Sequence, residues 1–585
     1  MPGLLGLFQN ENIESSLERM QSSMMNYEHF IAGNKFIVAN LAMSFVHAGC
    51  LQTGNFFYNE GDYIISVDGE SYNFTQVAET MGMKASSLEE LLSACDQVDE
   101  LDSCLSRLDG YFSAVIFDQK RQKLKIVSDR HGHRPIYYCQ QENLFAWASE
   151  VKAILAIPEL EKNFDADIIE CFLRVGHLVG QRTFFKDIKL LKPASVLELD
   201  LLDGSILERH YWSWSKIKPQ SVTFDTAVDL LGEAFISAVE KHFDPKEKIG
   251  VALSGGLDSR AILAAVTKLY PDYEGYAYTF GIPNCPDVTI AQEVMRATPG
   301  WKHDIFYFED KDWFEPRKDM VWNTDGMKDI MHMHGAEFLQ QISNHIDINL
   351  NGYLGDAILG GSYLKNTARL DTRIDRSISV AAYGGYAEDV ESSFFDIQHY
   401  DNYLFANRGR RFVNVGTINA LPWVAQRKPF FDNDLVELIF SLPDHYRSNN
   451  RLYSTMLKKF FPKYFRTIAW QQTGKPASQV APRSFTQKAF GRIDKLARQF
   501  FDLSPASNYT NYPKWIREPE VSFELRDLLC RDGSFYSTFT TRDFEKEFLN
   551  PHLRSRFVDR SDSILRAATL EVYLRKINEK FCFPN

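Results

Sequence analysis

The sequence predicts a two-domain α/β protein, on three observations. The first two hundred residues hold short apolar strands separated by polar turns. A strand, a glycine-rich turn, a helix and a second strand then follow one another from Ile249 to Gly281. The last third reads as mainly helical, with no repeat or low-complexity tract.

In chain order, YFSAVIFD (111–118) and KLKIVSD (123–129) flank a polar, charged turn and predict a hairpin. IYYC (136–139) and FAWAS (145–149) repeat the pattern, and TFFKDIKLLKPASVLELD (183–200) predicts another strand pair with Lys192 and Pro193 near its corner. WSWSKIKPQS, from residue 212, is irregular and marks a boundary, dividing the chain into 1–212 and 213–585. Beyond it, FDTAVDLLGEAFISAVEKHF has apolar residues at helical spacing. The strand IGVAL, the helix SRAILAAVTKL and the strand YEGYAYTFG form a β-α-β unit, the mark of a parallel sheet covered on both faces.

Composition narrows the function. A chain of 585 residues exceeds a single core, and 44% hydrophobic with 24% charged residues is ordinary for a globular protein. A net charge of −12 without a long basic run argues against nucleic acid. No apolar run is long enough to span a bilayer and no signal peptide is evident, so no membrane partner and a cytoplasmic location are expected. The eight cysteines are scattered without a CxxC pair, which predicts neither structural zinc nor a disulfide framework.

The chemistry concentrates at VALSGGLDSR (251–260). A tight glycine turn between strand and helix is built for an anion. Neither GxxxxGK[ST] nor GxGxxG is present, so this is not a phosphate loop or dinucleotide fingerprint of those kinds. Ser254 and Ser259 supply hydroxyls, Gly255 and Gly256 allow backbone N–H groups to approach closely, and the helix start adds positive potential. Asp258 would repel a bare anion. It fits if Mg²⁺ lies between it and a polyphosphate.

This stretch resembles the pyrophosphate loop of the N-type ATP pyrophosphatases, and its surroundings resemble the asparagine synthetase superfamily. TFGIPNCPD (279–287), NGYLGDAILGG (351–361) and KPFFDNDLVELIFSLP (428–443) are similar to three further segments of that family. The resemblance implies a doubly wound parallel-sheet ATP pyrophosphatase domain with a helical C-terminal part. It implies ATP and Mg²⁺ as cofactors: Ser254, Gly255, Gly256, Asp258, Ser259 and Gly352 at the pyrophosphate, Leu253, Phe280 and Gly281 at the adenine. Asp258 and Asp356 would bind the metal.

DGESYN (68–73), LDGYFSAVIFD (108–118), DRHGHRPIYY (129–138) and ASEVKAIL (148–155) resemble the class II glutamine amidotransferase domain, an αββα fold of the N-terminal-nucleophile type. That domain uses a cysteine after Met1, whereas this chain starts MPGLLGLF and has Pro2 there. SSLEELL (86–92) also departs from the segment that carries a glutamine-side acid. The domain is therefore expected to lack glutaminase activity and to serve as a wall.

Loss of that cysteine is a trait of the superfamily's ring-closing members, the β-lactam synthetases and lasso-peptide cyclases, in which a tethered amine attacks the adenylate. GYL places Tyr353 where β-lactam synthetase carries a tyrosine that helps deprotonate the amine, although RRFVNVG (410–416) holds no partner glutamate. A catalytic lysine is usual near Gln472 or Thr473, and Lys475 in IAWQQTGKPAS (468–478) is the candidate. His332 and His334 lack a third ligand at metal spacing, Ser259 lacks a GxSxG elbow, and the FFY and PFF aromatics read as core.

The resemblance implies an AMP- and pyrophosphate-forming amide ligase, with intramolecular ring closure as the leading reading. The alternatives are asparagine synthesis from ammonia and a non-catalytic, nucleotide- or partner-binding relative. The substrate would be a carboxylate-bearing small molecule or a precursor peptide, with room for a peptidase or carrier of the same pathway.

Overall fold

The computed structural model describes residues 2–49, 57–364, 383–386, 391, 393–395, 401–477, 494, 498–500, 508–531 and 533–581. Its N-terminal part stacks two antiparallel sheets. One has the central strands Gly3–Gln9, Leu41–His47 and Leu144–Ala148, and the other is built on Tyr63–Ser71, Gly110–Asp118 and Lys123–Ser128. Side chains alternate across each strand, so one face of each sheet meets the other. Leu4, Phe45, Ile64, Val115, Ile126 and Trp147 fill that seam. The outer faces are covered by helices: Ile13–Met24 buries Leu17, Met20 and Met24, and Leu88–Gln97 buries Leu91, Leu92 and Cys95. This is the expected α-β-β-α layering.

The hairpin expected at 111–129 forms, with Ser113 opposite Ser128, and so does the pairing of Tyr137–Gln141 with Leu144–Ala148. The pair expected within 183–200 does not. Ile188–Leu190 joins the first sheet beside Tyr137–Gln141, while Ser195–Asp200 joins the second beside Lys123–Ser128. Pro193 lacks a backbone donor and Ala194 takes a left-handed φ of 49°, so the chain crosses between the sheets there instead of turning back.

The helix Phe224–Lys241 starts at Thr223, whose hydroxyl accepts from the Thr226 amide at 3.2 Å, and it buries Leu231, Phe235 and Val239. Five parallel strands follow in the spatial order Lys302–Tyr307, Tyr276–Gly281, Ile249–Ala252, Ile348–Leu350, Ala425–Arg427. The first strand in sequence lies in the middle, so chain order reverses beside its carboxyl end. Open parallel sheets bind ligands at such a switch point. Helices, among them Asp258–Leu269, cover the sheet, and the carboxy-terminal helix Ser561–Phe581 buries Leu565, Ala568 and Tyr573.

Arg427, at the edge of the parallel sheet and 7% exposed, ties the two parts together. It donates to both carboxylate oxygens of Glu70 (2.8 and 3.0 Å) and to both of Glu247 (2.5 and 2.9 Å). Burial opposes ionisation of Glu70, but the Arg427 hydrogen bonds and charge outweigh it and hold the carboxyl below its usual range. Arg427→Met should cost about 2–3 kcal/mol at neutral pH, at the low end for a buried pair because both carboxylates are partly exposed. A group whose folded pKa is depressed contributes stability above its unfolded value and loses it as pH falls. The difference in urea midpoint between parent and variant should therefore be full above the usual glutamate value of 4.5 and shrink below it. A pH-independent difference would show that Glu70 is not the partner that matters.

Candidate active site

The middle strand of the parallel sheet ends at Ala252, and its chain continues through Ser254–Gly255–Gly256 into the helix Asp258–Leu269. Every turn of this loop is anchored. The Leu253 amide donates to Tyr278 O at 2.8 Å, Ser254 N to Ser259 Oγ at 3.1 Å, and Gly256 N to Ser254 Oγ at 3.2 Å. Gly255 N donates to Asp287 Oδ1 at 3.0 Å, and Gln471 Nε2 to Asp287 Oδ2 at 2.5 Å. From below, Arg260, fully buried, donates to Gly255 O (3.2 Å) and Ala469 O (2.9 Å).

A second turn approaches from the neighbouring strand Ile348–Leu350. A Cβ on Gly352 would lie 3.0 Å from Ser259 N, and one on Gly355 would lie 2.7 Å from Asp258 Cγ. Only glycine permits that approach. Between them Leu354 takes a left-handed φ of 55°, a strained conformation for a leucine and of the kind found at functional sites. The result is that Asp356 N donates to Asp258 Oδ2 at 2.9 Å, while Tyr453 Oη donates to Asp258 Oδ1 at 3.1 Å. Burial and then the charge of Asp356 push the Asp258 carboxyl well above its ordinary range. Burial and the neighbouring negative charge both disfavour the ionised form of Asp258, and a cation beside the two acids would relieve this. A hard divalent ion such as Mg²⁺ suits the pair, completing its shell with phosphate oxygens and water.

The acids open onto a cavity of about 330 Å³. Gly256, Gly360, Ser362, Asn450, Trp470 and Gln471 are among the residues of its wall, which holds no lysine or arginine among the described residues.

The structure thus brings together Ser254, Gly255, Gly256, Asp258, Ser259, Gly352 and Asp356. Leu253 is buried at the strand end, and Gly281 and Phe280 end the adjacent strand, where Phe280 packs on Phe306, Phe308 and Phe338 at centroid distances of 5.9–6.3 Å. The geometry does not bring in the other two residues. Lys475 is exposed on a turn closed by Trp470 N donating to Lys475 O at 2.7 Å, with Gly474 in the left-handed region, and Gln471 and Gln472 take the wall instead. Tyr353 points the other way, into the interface with the antiparallel sheets. It is 3% exposed and packs on Phe431 (5.0 Å) and His133 (5.2 Å), with Lys428 Nζ 5.1 Å from its ring centre.

The Tyr353 hydroxyl has no hydrogen-bond partner among the described residues, and burial pushes its pKa well above the usual phenol range. The expectation that Tyr353 acts as a base does not fit this placement on either count. Tyr353→Phe should change adenylation and amide formation by less than about twofold each. A selective slowing of amide formation, with adenylation intact, would return Tyr353 to the acyl site.

Sequence reasoning missed Asp287, Arg260, Gln471 and Tyr453. Asp287 follows Pro286 at the start of the helix Pro286–Arg296, and that Pro-Asp pair was the one local signal. The others are identifiable only from their contacts.

A separate cavity of about 110 Å³ lies beside Pro2, with His47, Asp68, Glu70 and Arg134 in its walls. No thiol lines it among the described residues. Cys50 lies outside the described residues, and Cys95, Cys104, Cys139, Cys171 and Cys285 are buried elsewhere. His133, next to Arg134 of this cavity, touches Tyr353, on the turn that leads to Asp356 of the other, and Tyr111, Lys428 and Phe431 pack around them. Burial pushes the Lys428 ammonium down to about 7, and its Nζ donates to Asn414 Oδ1 at 2.5 Å.

His332 and His334 are each engaged, His332 Nδ1 with Asp329 at 2.8 Å and His334 Nδ1 with Tyr512 Oη at 2.9 Å. Among the described residues no helix is long and apolar enough to cross a membrane.

Residues 1–212 match the profile of a family described as a glutamine amidotransferase domain, and residues 230–414 that of asparagine synthase. A putative asparagine synthetase (glutamine-hydrolyzing) 2 of Methanocaldococcus jannaschii is 24% identical over 310 residues, 52% of this chain and 59% of that one. Asparagine synthetase (glutamine-hydrolyzing) 3 of Bacillus subtilis is 28% identical over 341 residues, 54% of each chain. The match thus spans between half and three-fifths of these relatives. Among solved structures, a glutamine aminotransferase class-II domain protein from Silicibacter pomeroyi aligns with 35% of this chain and 97% of its own, at 14% identity and a TM-score of 0.21.

Proposed function

We propose that this chain, whose two parts match the glutamine amidotransferase and asparagine synthase profiles, is a member of the asparagine synthetase superfamily and an ATP- and Mg²⁺-dependent ligase that joins a carboxylate to an amine. The observation that carries this reading is the pairing of Asp258 with Asp356 above the SGGLDS loop, at the carboxyl ends of parallel strands. A carboxylate oxygen of the substrate attacks the α-phosphorus of ATP, the bond to the β-phosphate oxygen breaks, and pyrophosphate leaves with that electron pair. Asp258 and Asp356 would hold Mg²⁺, which when bound would supply charge stabilisation for the departing pyrophosphate. The loop orients the phosphates with the Ser254 and Ser259 hydroxyls and the start of the helix Asp258–Leu269. The Ser254, Gly255 and Gly256 amides are engaged within the protein, and Asp287 and Arg260 hold the loop in shape. An amine then adds to the acyl carbon, AMP leaves, and the nitrogen gives up a proton.

Pro2 and the packed interface favour an amine that arrives on the substrate itself, as in a β-lactam-type or lasso-type cyclase, over ammonia made in the cavity beside Pro2. Asparagine formation from free ammonia is the second reading, supported by the names of the relatives. The test is exchange of labelled pyrophosphate into ATP across a panel of carboxylic acids. Exchange that needs both Mg²⁺ and one acid or acid class is expected. Exchange with no acid, in a chain that still binds ATP, would favour a nucleotide-binding relative without catalysis.

A further inference from the structure

Asp258 accepts a hydrogen bond on each carboxylate oxygen, and the two donors come from different parts of the chain. Oδ2 takes the Asp356 amide at 2.9 Å, and Oδ1 takes the Tyr453 hydroxyl at 3.1 Å. A carboxylate offers about four lone-pair sites, so one on each oxygen remains for a cation. Together the two donors restrain rotation of the carboxyl group.

The chain fixes the position of this hydroxyl from several sides. Tyr453 lies in the first turn of the helix Arg451–Phe460, fully buried, with its ring nearly perpendicular to that of Phe430 and their centres 6.2 Å apart. The same Phe430 ring would lie 2.8 Å from a Cβ on Gly355, the neighbour of Asp356. The helix is entered through Asn449 and Asn450, both left-handed at φ 55° and 64°, a backbone strain of the kind found at functional sites. Asn450 N donates to Gly360 O at 3.1 Å, which ties the helix start to the segment that carries Asp356. At the other end, Gly232 leaves no room for a Cβ beside the Phe460 ring, so the helix Phe224–Lys241 holds it closely.

Tyr453 is not among the residues that line the cavity, and its hydroxyl donates to Asp258. Packing alone needs the ring and not the oxygen, since a phenylalanine would fill the same space. We infer that Tyr453 is a positioning residue, whose hydroxyl holds the Asp258 carboxylate in the orientation that receives the divalent cation while the Asp356 amide holds its other oxygen. This rests on the metal-binding role of the two acids and adds the group that orients them. Removing a partner that orients a metal-binding side chain typically costs about 10–100-fold in metal affinity.

The test is titration of the full chain with Mn²⁺ alone, the free ion being followed by electron paramagnetic resonance. The parent should bind, Asp258→Asn should lose that binding, and Tyr453→Phe should raise the Mn²⁺ Kd about tenfold. Tyr453→Phe keeps the ring and its packing on Phe430, and its melting curve checks that it is folded. In pyrophosphate exchange the same variant should need about tenfold more Mg²⁺ for half-saturation. Excess Mg²⁺ should then recover rate, which a general loss of structure would not allow. Equal Mn²⁺ affinity of parent and Tyr453→Phe, with Asp258→Asn still deficient, overturns the inference and leaves the metal site standing. Mn²⁺ binding that Asp258→Asn also leaves unchanged overturns both.

Discussion

Asp258→Asn and Asp356→Asn are each expected to lower pyrophosphate exchange by about 10³-fold, the scale on which a charge-stabilising group contributes to a transition state. Asparagine keeps the shape and the acceptor for Asp356 N but removes the negative charge that holds a divalent cation. The loss should fall on kcat. An effect confined to the KM for ATP would mean that ground-state binding, not the transition state, had been lost. Stability should move the other way. Burial and the neighbouring acid raise the Asp258 pKa, so its stabilising contribution is present below the ordinary carboxylate range and disappears as pH rises through the folded value. At pH 8 without metal, Asp258→Asn should therefore melt no lower than the parent. A large drop in melting temperature would recast the pair as structural.

The acyl acceptor carries the second large effect. A tethered amine acts at an effective concentration on the order of 10⁵ M or more, far above dissolved ammonia. Added ammonium should therefore leave the rate of amide formation with the true substrate unchanged, and aspartate with ATP and ammonium should give no asparagine. Glutamine should yield no glutamate above background, since Pro2 stands where the amidotransferase domain is expected to carry its nucleophilic cysteine. Asparagine that accumulates in proportion to ammonium would establish the ammonia-dependent synthetase and end the cyclase reading.

Much of this site was legible in the sequence because it is local. Gly255 and Gly256 at a strand end, with Asp258 and Ser259 opening a helix, encode their geometry within six residues. Asp356 was legible through its glycine-rich segment, and the structure shows why: Gly352 and Gly355 let that turn touch the loop. What escaped was tertiary. Asp287 reaches Gly255 across 32 positions and Arg260 reaches Ala469 across 209, and no periodicity reports such contacts. The surroundings of Tyr353 were not legible either, because its contacts with His133 and Phe431 come from segments distant in sequence. The strands after residue 183 misled because two strands close in sequence can belong to different sheets.

The most direct measurement follows oxygen. An acid that supports exchange, labelled with ¹⁸O in its carboxylate, is turned over with ATP and Mg²⁺, and the nucleotide product is analysed by mass spectrometry. Attack of the carboxylate on the α-phosphorus predicts AMP carrying one ¹⁸O, with unlabelled pyrophosphate. ADP with ¹⁸O in inorganic phosphate, or AMP without label, would contradict adenylation at this site.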